Sequence, residues 1–312
     1  MAEYKWRVSE SVQPAINAAT RLCAVLGAPI RHSASPAMHN AAFAALGLDW
    51  RYLAFEVAPE RLRAAIEGAK VMGFAGLNLT VPHKLLAVDM VDVLDESANS
   101  WGAVNTIRFE SSAGILPANA AGGAGETLAL HSVGFNTDAD AIATALREDL
   151  AVELRGAKVL LLGAGGAGRT AALKIASEKV AELFLVNRTP SKVEAIATEI
   201  AARFPSVRVI AGYPHTTVDL LLNATSLGLQ TGDASPLDEK QFSLKQTRAV
   251  YDMIYRPAET RMLAAAKAAG CRTANGLGML LHQGARAFEI WTGKPAPLEV
   301  MRRALEQNIY EH

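Results

Sequence analysis

Lys158-Val159-Leu160-Leu161-Leu162-Gly163-Ala164-Gly165-Gly166-Ala167-Gly168-Arg169-Thr170 decides how the rest of the chain is read. Val159 to Leu162 is an unbroken apolar run, so neither face of a strand built from it can rest in water, which marks a buried parallel strand. Gly163, Gly165 and Gly168 follow at G-x-G-x-x-G spacing, and an alanine-rich segment comes next. In a strand–turn–helix unit the first glycine permits the tight turn. The second lets backbone approach a pyrophosphate, and the third lets helix pack on strand. The free N–H groups and positive dipole end of the helix then face that phosphate. Three glycines alone describe any glycine-rich turn; a strand before them and a helix after them point to a dinucleotide.

One β-α-β unit later stands Glu182-Leu183-Phe184-Leu185-Val186-Asn187-Arg188-Thr189. An NAD site usually ends this strand with an Asp or Glu that accepts from the ribose 2′-OH. Here Asn187, Arg188 and Thr189 take its place. A carboxylate repels a 2′-phosphate, whereas a guanidinium grips one through two hydrogen bonds. The expected cofactor is therefore NADP rather than NAD. Without the glycines, Arg188 would read as an ordinary solvated arginine.

Outward from this centre, strands are expected at 158–163, 181–187, 207–211, 218–223, 249–254 and 271–275, and helices at 166–178, 190–203 and 259–269. That alternation is a doubly wound α/β pattern with ligands at the carboxyl ends of the strands. Segments 278–292 and 297–308 read as two closing helices.

The N-terminal half is also α/β. Residues 1–20 read as a leader. Leu22 to Leu26 is a buried strand, and Ser35-Pro36 reads as a helix start, with Ser35 as the capping hydroxyl. Strand 49–57 and an amphipathic helix 59–72 follow. Asn78 and Thr80 alternate with Leu77, Leu79 and Val81, so both polar side chains leave one face. Pro82 is expected to begin a helix with Lys84 in its first turn, an end that disfavours cations. On local grounds a solvated lysine is the plainer reading. Residues 92–101 read as a polar helix, 102–109 as a strand holding Asn105, 110–126 as an Ala/Gly/Ser loop, and 127–133 as its return strand. Thr137 and Asp138 read as caps of a helix over 138–149.

Composition limits the partners. The 312 residues suffice for two domains, half are hydrophobic, and 31 basic residues balance 31 acidic ones. Zero net charge gives no reason to expect nucleic acid or an anionic membrane as partner. Cys23 and Cys271 read as free buried thiols, and no Cys/His spacing suggests a metal. With neither a signal peptide nor a spanning run, the expectation is a soluble cytoplasmic protein. A homodimer is left open.

Taken in order, the motifs resemble the shikimate dehydrogenase family over about residues 22–295. They are Gly27-x-Pro29-Ile30-x-His32-Ser33-x-Ser35-Pro36-x-x-His39-Asn40, Asn78-x-Thr80-x-Pro82-x-Lys84, Ala103-Val104-Asn105-Thr106, Gly134-x-Asn136-Thr137-Asp138, Asn187-Arg188-Thr189, Asn223-Ala224-Thr225-Ser226, Asp252-Met253-x-Tyr255-x-Pro257 and Met279-Leu280-x-x-Gln283-Gly284. The resemblance implies an α/β substrate-binding domain (21–137), a Rossmann-type NADP-binding domain (138–276), and final helices (277–312) packing back on the first. It implies reversible, NADPH-dependent reduction of 3-dehydroshikimate to shikimate, a step of aromatic amino acid biosynthesis. Lys84 and Asp138 would be the catalytic pair, with Ser33, Ser35, Asn78, Thr80, Asn105, Tyr255 and Gln283 around the substrate. The cofactor would lie along Gly163, Gly165, Gly166, Ala167, Gly168, Asn187, Arg188, Thr189, Thr225, Met253, Gly276 and Met279. The leader and the 27-residue stretch 107–133 depart from the family's pattern. The competing readings are an NAD-dependent quinate/shikimate dehydrogenase and a non-catalytic NADP(H)-sensing protein. The second would not need Lys84 and Asp138 together with a full set of hydroxyl-binding residues.

Overall fold

The computed structural model describes residues 14–111, 130–230 and 232–311. Within them the chain builds two six-stranded sheets. The first comprises β1 (Arg21–Gly27), β2 (Trp50–Glu56), β3 (Gly76–Leu79), β4 (Val93–Leu94), β5 (Thr106–Ser111) and β6 (Leu130–Phe135), in the spatial order β2-β1-β3-β5-β6-β4. β1 runs parallel to β2 and β3, whereas β5 is antiparallel to β3 and β6. Helices α1 (Ser35–Ala45), α2 (Leu62–Val71) and α3 (Glu96–Trp101) join these strands.

Helix α4 (Asp138–Leu150) leads to the second sheet, formed by β7 (Lys158–Leu162), β8 (Glu182–Val186), β9 (Arg208–Ala211), β10 (Val218–Asn223), β11 (Thr247–Asp252) and β12 (Arg272–Asn275). All its pairings are parallel, in the order β12-β11-β10-β7-β8-β9. Helices α5 (Gly166–Ser177), α6 (Pro190–Arg203) and α7 (Arg261–Ala268) are its crossovers. Val159 to Leu162 is buried on both faces of the sheet, as its unbroken apolar run demands. The chain leaves β7 toward β8 and later returns to set β10 on its other side. The crevice between the carboxyl ends of β7 and β10 is the switch point where such sheets bind ligands.

Helices α8 (Leu277–Thr292) and α9 (Leu298–Tyr310) close the chain. Their apolar faces share one core with β1, β2 and α1, through Leu281, Phe288, Trp291, Met301 and Leu305. Trp291 Nε1 donates to the carbonyl of Ile107 in β5 at 2.9 Å. The closing helices therefore complete the first half of the molecule, as expected.

Several local expectations are corrected. Ser35 is not a cap: Ala34 is, with no side-chain capping bond, and the Ser35 N–H instead donates to Ser33 Oγ at 3.3 Å. Pro82 begins no helix; residues 81–85 form turns, and a short 3-10 segment starts only at Leu86. The 92–101 segment opens with β4 and becomes helical at Glu96, where Asp95 accepts from the Ser97 N–H. Asn105 precedes β5 rather than lying in it. At α4 the capping acceptor is Asn136, whose Oδ1 takes the N–H groups of Asp138 and Ala139. Thr137 is thereby free to bond elsewhere. Residues 1–13 of the expected leader and 112–129 of the long segment lie outside the described residues.

Asp92 ties α2 to the β4/β6 edge. Its Oδ2 accepts from the Ser132 N–H (2.7 Å), the Ser132 hydroxyl (2.8 Å) and Lys70 Nζ (2.8 Å). Burial pulls the carboxyl upward, but Lys70 and Ser132 outweigh it and hold it at about 2, below its ordinary 3.8. A folded-state value below the unfolded one gives stability that is full above about pH 4 and lost as pH falls toward 2. Asp92→Asn should lower the melting temperature by a few degrees at neutral pH. The gap from wild type should close on acidification, and a constant gap would refute the linkage.

Candidate active site

The first half contributes the loop after β1, the end of β3 and the turn that follows it. Ser33 and Ser35 stand at the start of α1, while Asn78 and Thr80 stand at the carboxyl end of β3. With Lys84, Asp138, Tyr255 and Gln283 they line one pocket of about 230 Å³. Ala167, Met253 and Gly276 complete its wall from the second half, and Met279 from the start of α8. The pocket thus lies where the carboxyl ends of the two sheets meet.

Lys84 Nζ is 2.7 Å from Asp138 Oδ2, an ion pair whose carboxylate is 8% exposed and whose lysine is 23% exposed. Asp138 is the first residue of α4, where the helix dipole favours a carboxylate. Its backbone N–H, held by Asn136, fixes the start of the helix. The ammonium is therefore held in place by a group that is itself anchored, and both remain open to the pocket. Tyr255, brought in from beyond β11, has its hydroxyl acidity reduced by burial.

Asn78 Nδ2 donates to the Asn105 carbonyl (3.1 Å) and to Thr106 Oγ1 (3.0 Å). The Asn105 side chain is satisfied internally: Nδ2 donates to Thr137 Oγ1 (3.0 Å) and Oδ1 accepts from the Thr137 N–H (2.8 Å). Asn105 is 1% exposed and absent from the pocket wall, so it sits one layer behind.

The glycine turn meets the steric requirements for a dinucleotide. Gly163 adopts φ +105°, and a Cβ there would lie 2.9 Å from the Ala224 backbone. A Cβ on Gly168 would fall 2.2 Å from the Gly163 carbonyl oxygen, so α5 can approach β7 only without one. Gly165 and Gly166 differ, because a Cβ on either would meet nothing within 4 Å among the described residues. The protein's own packing does not require glycine there, and the space faces a second crevice of about 240 Å³. That crevice is lined by Leu85, Gly165, Gly166, Arg169, Lys192 and Glu199, among others. The N-terminus of α5 has no side-chain cap, leaving its amides available to an anion. Asn187 Oδ1 accepts from the Ala164 N–H at 3.1 Å, which braces the turn from the end of β8. Arg188 and Thr189 are exposed beside it. Thr225 Oγ1 donates to Asn223 Oδ1 at 2.8 Å in the loop against Gly163.

A further contact joins the halves. Arg169 donates to both oxygens of Glu199 (3.0 and 2.8 Å) and to the Trp101 carbonyl (2.6 Å). Arg203 donates to Glu199 (3.0 Å) and to the Ser100 carbonyl (2.7 Å). Two guanidiniums of α5 and α6 thus cap the carboxyl end of α3.

Comparison with known proteins agrees with this geometry. Family models described as the shikimate dehydrogenase substrate binding domain, shikimate / quinate 5-dehydrogenase and the shikimate 5'-dehydrogenase C-terminal domain match residues 25–107, 145–227 and 276–306. A shikimate dehydrogenase (NADP(+)) of Methanopyrus kandleri is 39% identical over 306 residues, covering 96% of this chain and 99% of the other. This chain belongs to the shikimate dehydrogenase family. Among solved structures, a shikimate dehydrogenase in complex with NADP+ superposes with a TM-score of 0.81 at 36% identity, covering 96% of this chain and 99% of that one. The Thermus thermophilus shikimate 5-dehydrogenase, in complex with NADP(H) and shikimate, gives 0.77 at 35% identity over 92% of this chain and 99% of that one.

Within this shikimate dehydrogenase frame, the structure adds residues that the motifs did not single out. His32 lines the pocket and Lys192 the crevice. His32 stood inside a quoted motif. Lys192 lies four residues after Arg188, one turn into α6, and a second cation at that spacing was the available signal.

Proposed function

We propose that the chain interconverts 3-dehydroshikimate and shikimate with NADPH/NADP as the hydride carrier, a step toward aromatic amino acids. The observation that carries this is the Lys84–Asp138 pair at 2.7 Å in a pocket of hydroxyls and amides that also touches the glycine turn. When bound, the dinucleotide supplies the hydride for the ketone carbon. Lys84 stabilises the negative charge growing on the carbonyl oxygen and delivers a proton to it; in the reverse direction it receives that proton. Asp138 accepts from Lys84 and keeps Nζ directed at one point. Ser33 and Ser35 would hold the carboxylate, and Asn78, Thr80, Tyr255 and Gln283 the ring hydroxyls. Asn105 acts from behind, through the Asn78 and Thr137 bonds. Gly165, Gly166 and Ala167 would cradle the pyrophosphate, with Asn187, Arg188, Thr189 and Lys192 toward the adenosine 2′-phosphate. Thr225, Met253, Gly276 and Met279 would flank the nicotinamide side. In this reading residues 21–137 and the helices from 277 form the substrate-binding unit, and 138–276 the cofactor-binding unit.

The test is oxidation of shikimate and of quinate, each with NADP and with NAD, followed at the absorbance of the reduced cofactor. Shikimate with NADP should outrun the other three combinations. Faster turnover of quinate with NAD would overturn the substrate and cofactor assignments, and no turnover in any combination would overturn the enzymatic reading.

A further inference from the structure

Tyr52 lies in the middle of β2, 1% exposed and outside the pocket wall, yet three residues of α1 converge on it. Asn40 clamps its backbone: Oδ1 accepts the Tyr52 N–H at 2.9 Å, and Nδ2 donates to the Tyr52 carbonyl at 2.9 Å. The His39 ring stacks on the phenol ring, with centroids 4.3 Å apart and planes 14° from parallel. Among the described residues neither His39 nitrogen has a hydrogen-bond partner, and burial lowers the imidazole to about 3, so it packs as a neutral ring. It holds Tyr52 without competing for its hydroxyl. Burial pushes the Tyr52 phenol up, the Ser35 hydroxyl stands against its oxygen as a donor that partly offsets that push, and the Tyr52 hydroxyl lies 2.7 Å from Asn78 Oδ1.

The direction of these bonds follows from the ends of the chain of contacts. The Asn105 carbonyl can only accept, so Asn78 must turn its nitrogen there and to Thr106. Asn78 Oδ1 is left facing Tyr52, whose single proton must go to it. With that proton committed, the phenol oxygen can only accept, and Ser35 donates. One buried phenol thus joins two residues that line the pocket from different elements.

We propose that Tyr52 is a positioning residue: its hydroxyl sets the orientation of the Ser35 hydroxyl and the Asn78 amide and so determines how tightly the pocket holds its substrate. This gives His39 and Asn40, which touch no pocket space, a task at that pocket. The inference rests on the reading of the pocket as a shikimate site. Without the phenol, Asn78 Oδ1 is left buried with no donor and Ser35 loses its anchor, so both side chains gain rotamers that must be frozen again on binding. Nothing in this contact chain reaches the glycine turn.

Tyr52→Phe keeps the ring and its stacking. It should raise the KM for shikimate about tenfold, lower kcat less than threefold, and leave the KM for NADP unchanged. If Tyr52 acts through Ser35, adding Tyr52→Phe to Ser35→Ala should raise the KM by much less than it does alone. A thermal melt of each variant identifies loss of fold, and the comparison within the Ser35→Ala background reads the coupling independently of any shared destabilisation. A shikimate KM within twofold of wild type, equal rises for shikimate and NADP, or fully multiplicative effects with Ser35→Ala would overturn the proposal. Wild type that fails to oxidise shikimate overturns the site reading instead, so the two failures are distinguishable.

Discussion

Lys84→Ala should lower kcat about a thousandfold while leaving the fold and the KM for NADP close to wild type. The magnitude is that of removing a positioned general acid, typically 10² to 10⁴ in rate. The variant should still fold because the lysine side chain, 23% exposed, belongs to none of the hydrophobic cores. It does leave Asp138 without its cationic partner in a nearly buried position, so a modest drop in melting temperature is expected. Asp138→Asn is the companion experiment. It keeps the shape and removes the charge that anchors Nζ, and should lower kcat about a hundredfold. Stopped-flow or steady-state rates beside a melting curve decide the matter. Near-normal kcat in Lys84→Ala would move the proton to another group, of which His32 on the same wall is the first to examine.

Arg188→Ala should raise the KM for NADP by about ten- to a hundredfold and leave that for NAD within twofold. A hydrogen bond to a charged group is worth about 1.5–3 kcal/mol, which sets that range. The size of the effect depends on where the neighbouring charges stand. Glu199, a carboxylate on the crevice wall, is already held by Arg169 and Arg203, while Lys192 adds a second cation. Arg188 itself is exposed beside the brace that Asn187 makes to Ala164, so removing its side chain leaves the turn supported. Equal losses for NADP and NAD would mean that the turn, not the phosphate contact, had been damaged. An unchanged NADP KM would assign the phosphate to Lys192 alone.

Much of the second sheet was legible because its signals are local. An unbroken apolar run, glycines at fixed spacing and a following helix all sit within a dozen residues, and every strand expected there formed. The pocket was legible only in part. Ser35-Pro36 looked like a cap because sequence shows a hydroxyl before a proline. It cannot show that Ser33, two residues earlier, would take up the Ser35 N–H and leave the Ser35 hydroxyl for Tyr52. Pro82 looked like a helix start, but the chain turns first, so the expected clash between Lys84 and a helix dipole never arises. Tyr52 was unreadable for a different reason. An aromatic in the middle of a strand is core by default, and its partners Asn40 and Asn78 lie 12 and 26 residues away. Polar residues that serve one another across the fold leave no periodic trace.

The arginine cap on α3 bears on how the cleft can part. Arg169, Glu199 and Arg203 all belong to the second half, whereas Ser100 and Trp101 belong to the first. At this cap, drawing the halves apart breaks two bonds to neutral carbonyls and the contact of Arg203 with the Trp101 ring, and leaves the three charged groups satisfied by one another. Water can replace what the carbonyls lose, and no charge of this cap is left stranded. The device behaves as a catch that releases cleanly. Such a contact registers the halves against each other without adding a buried charge to hold them shut.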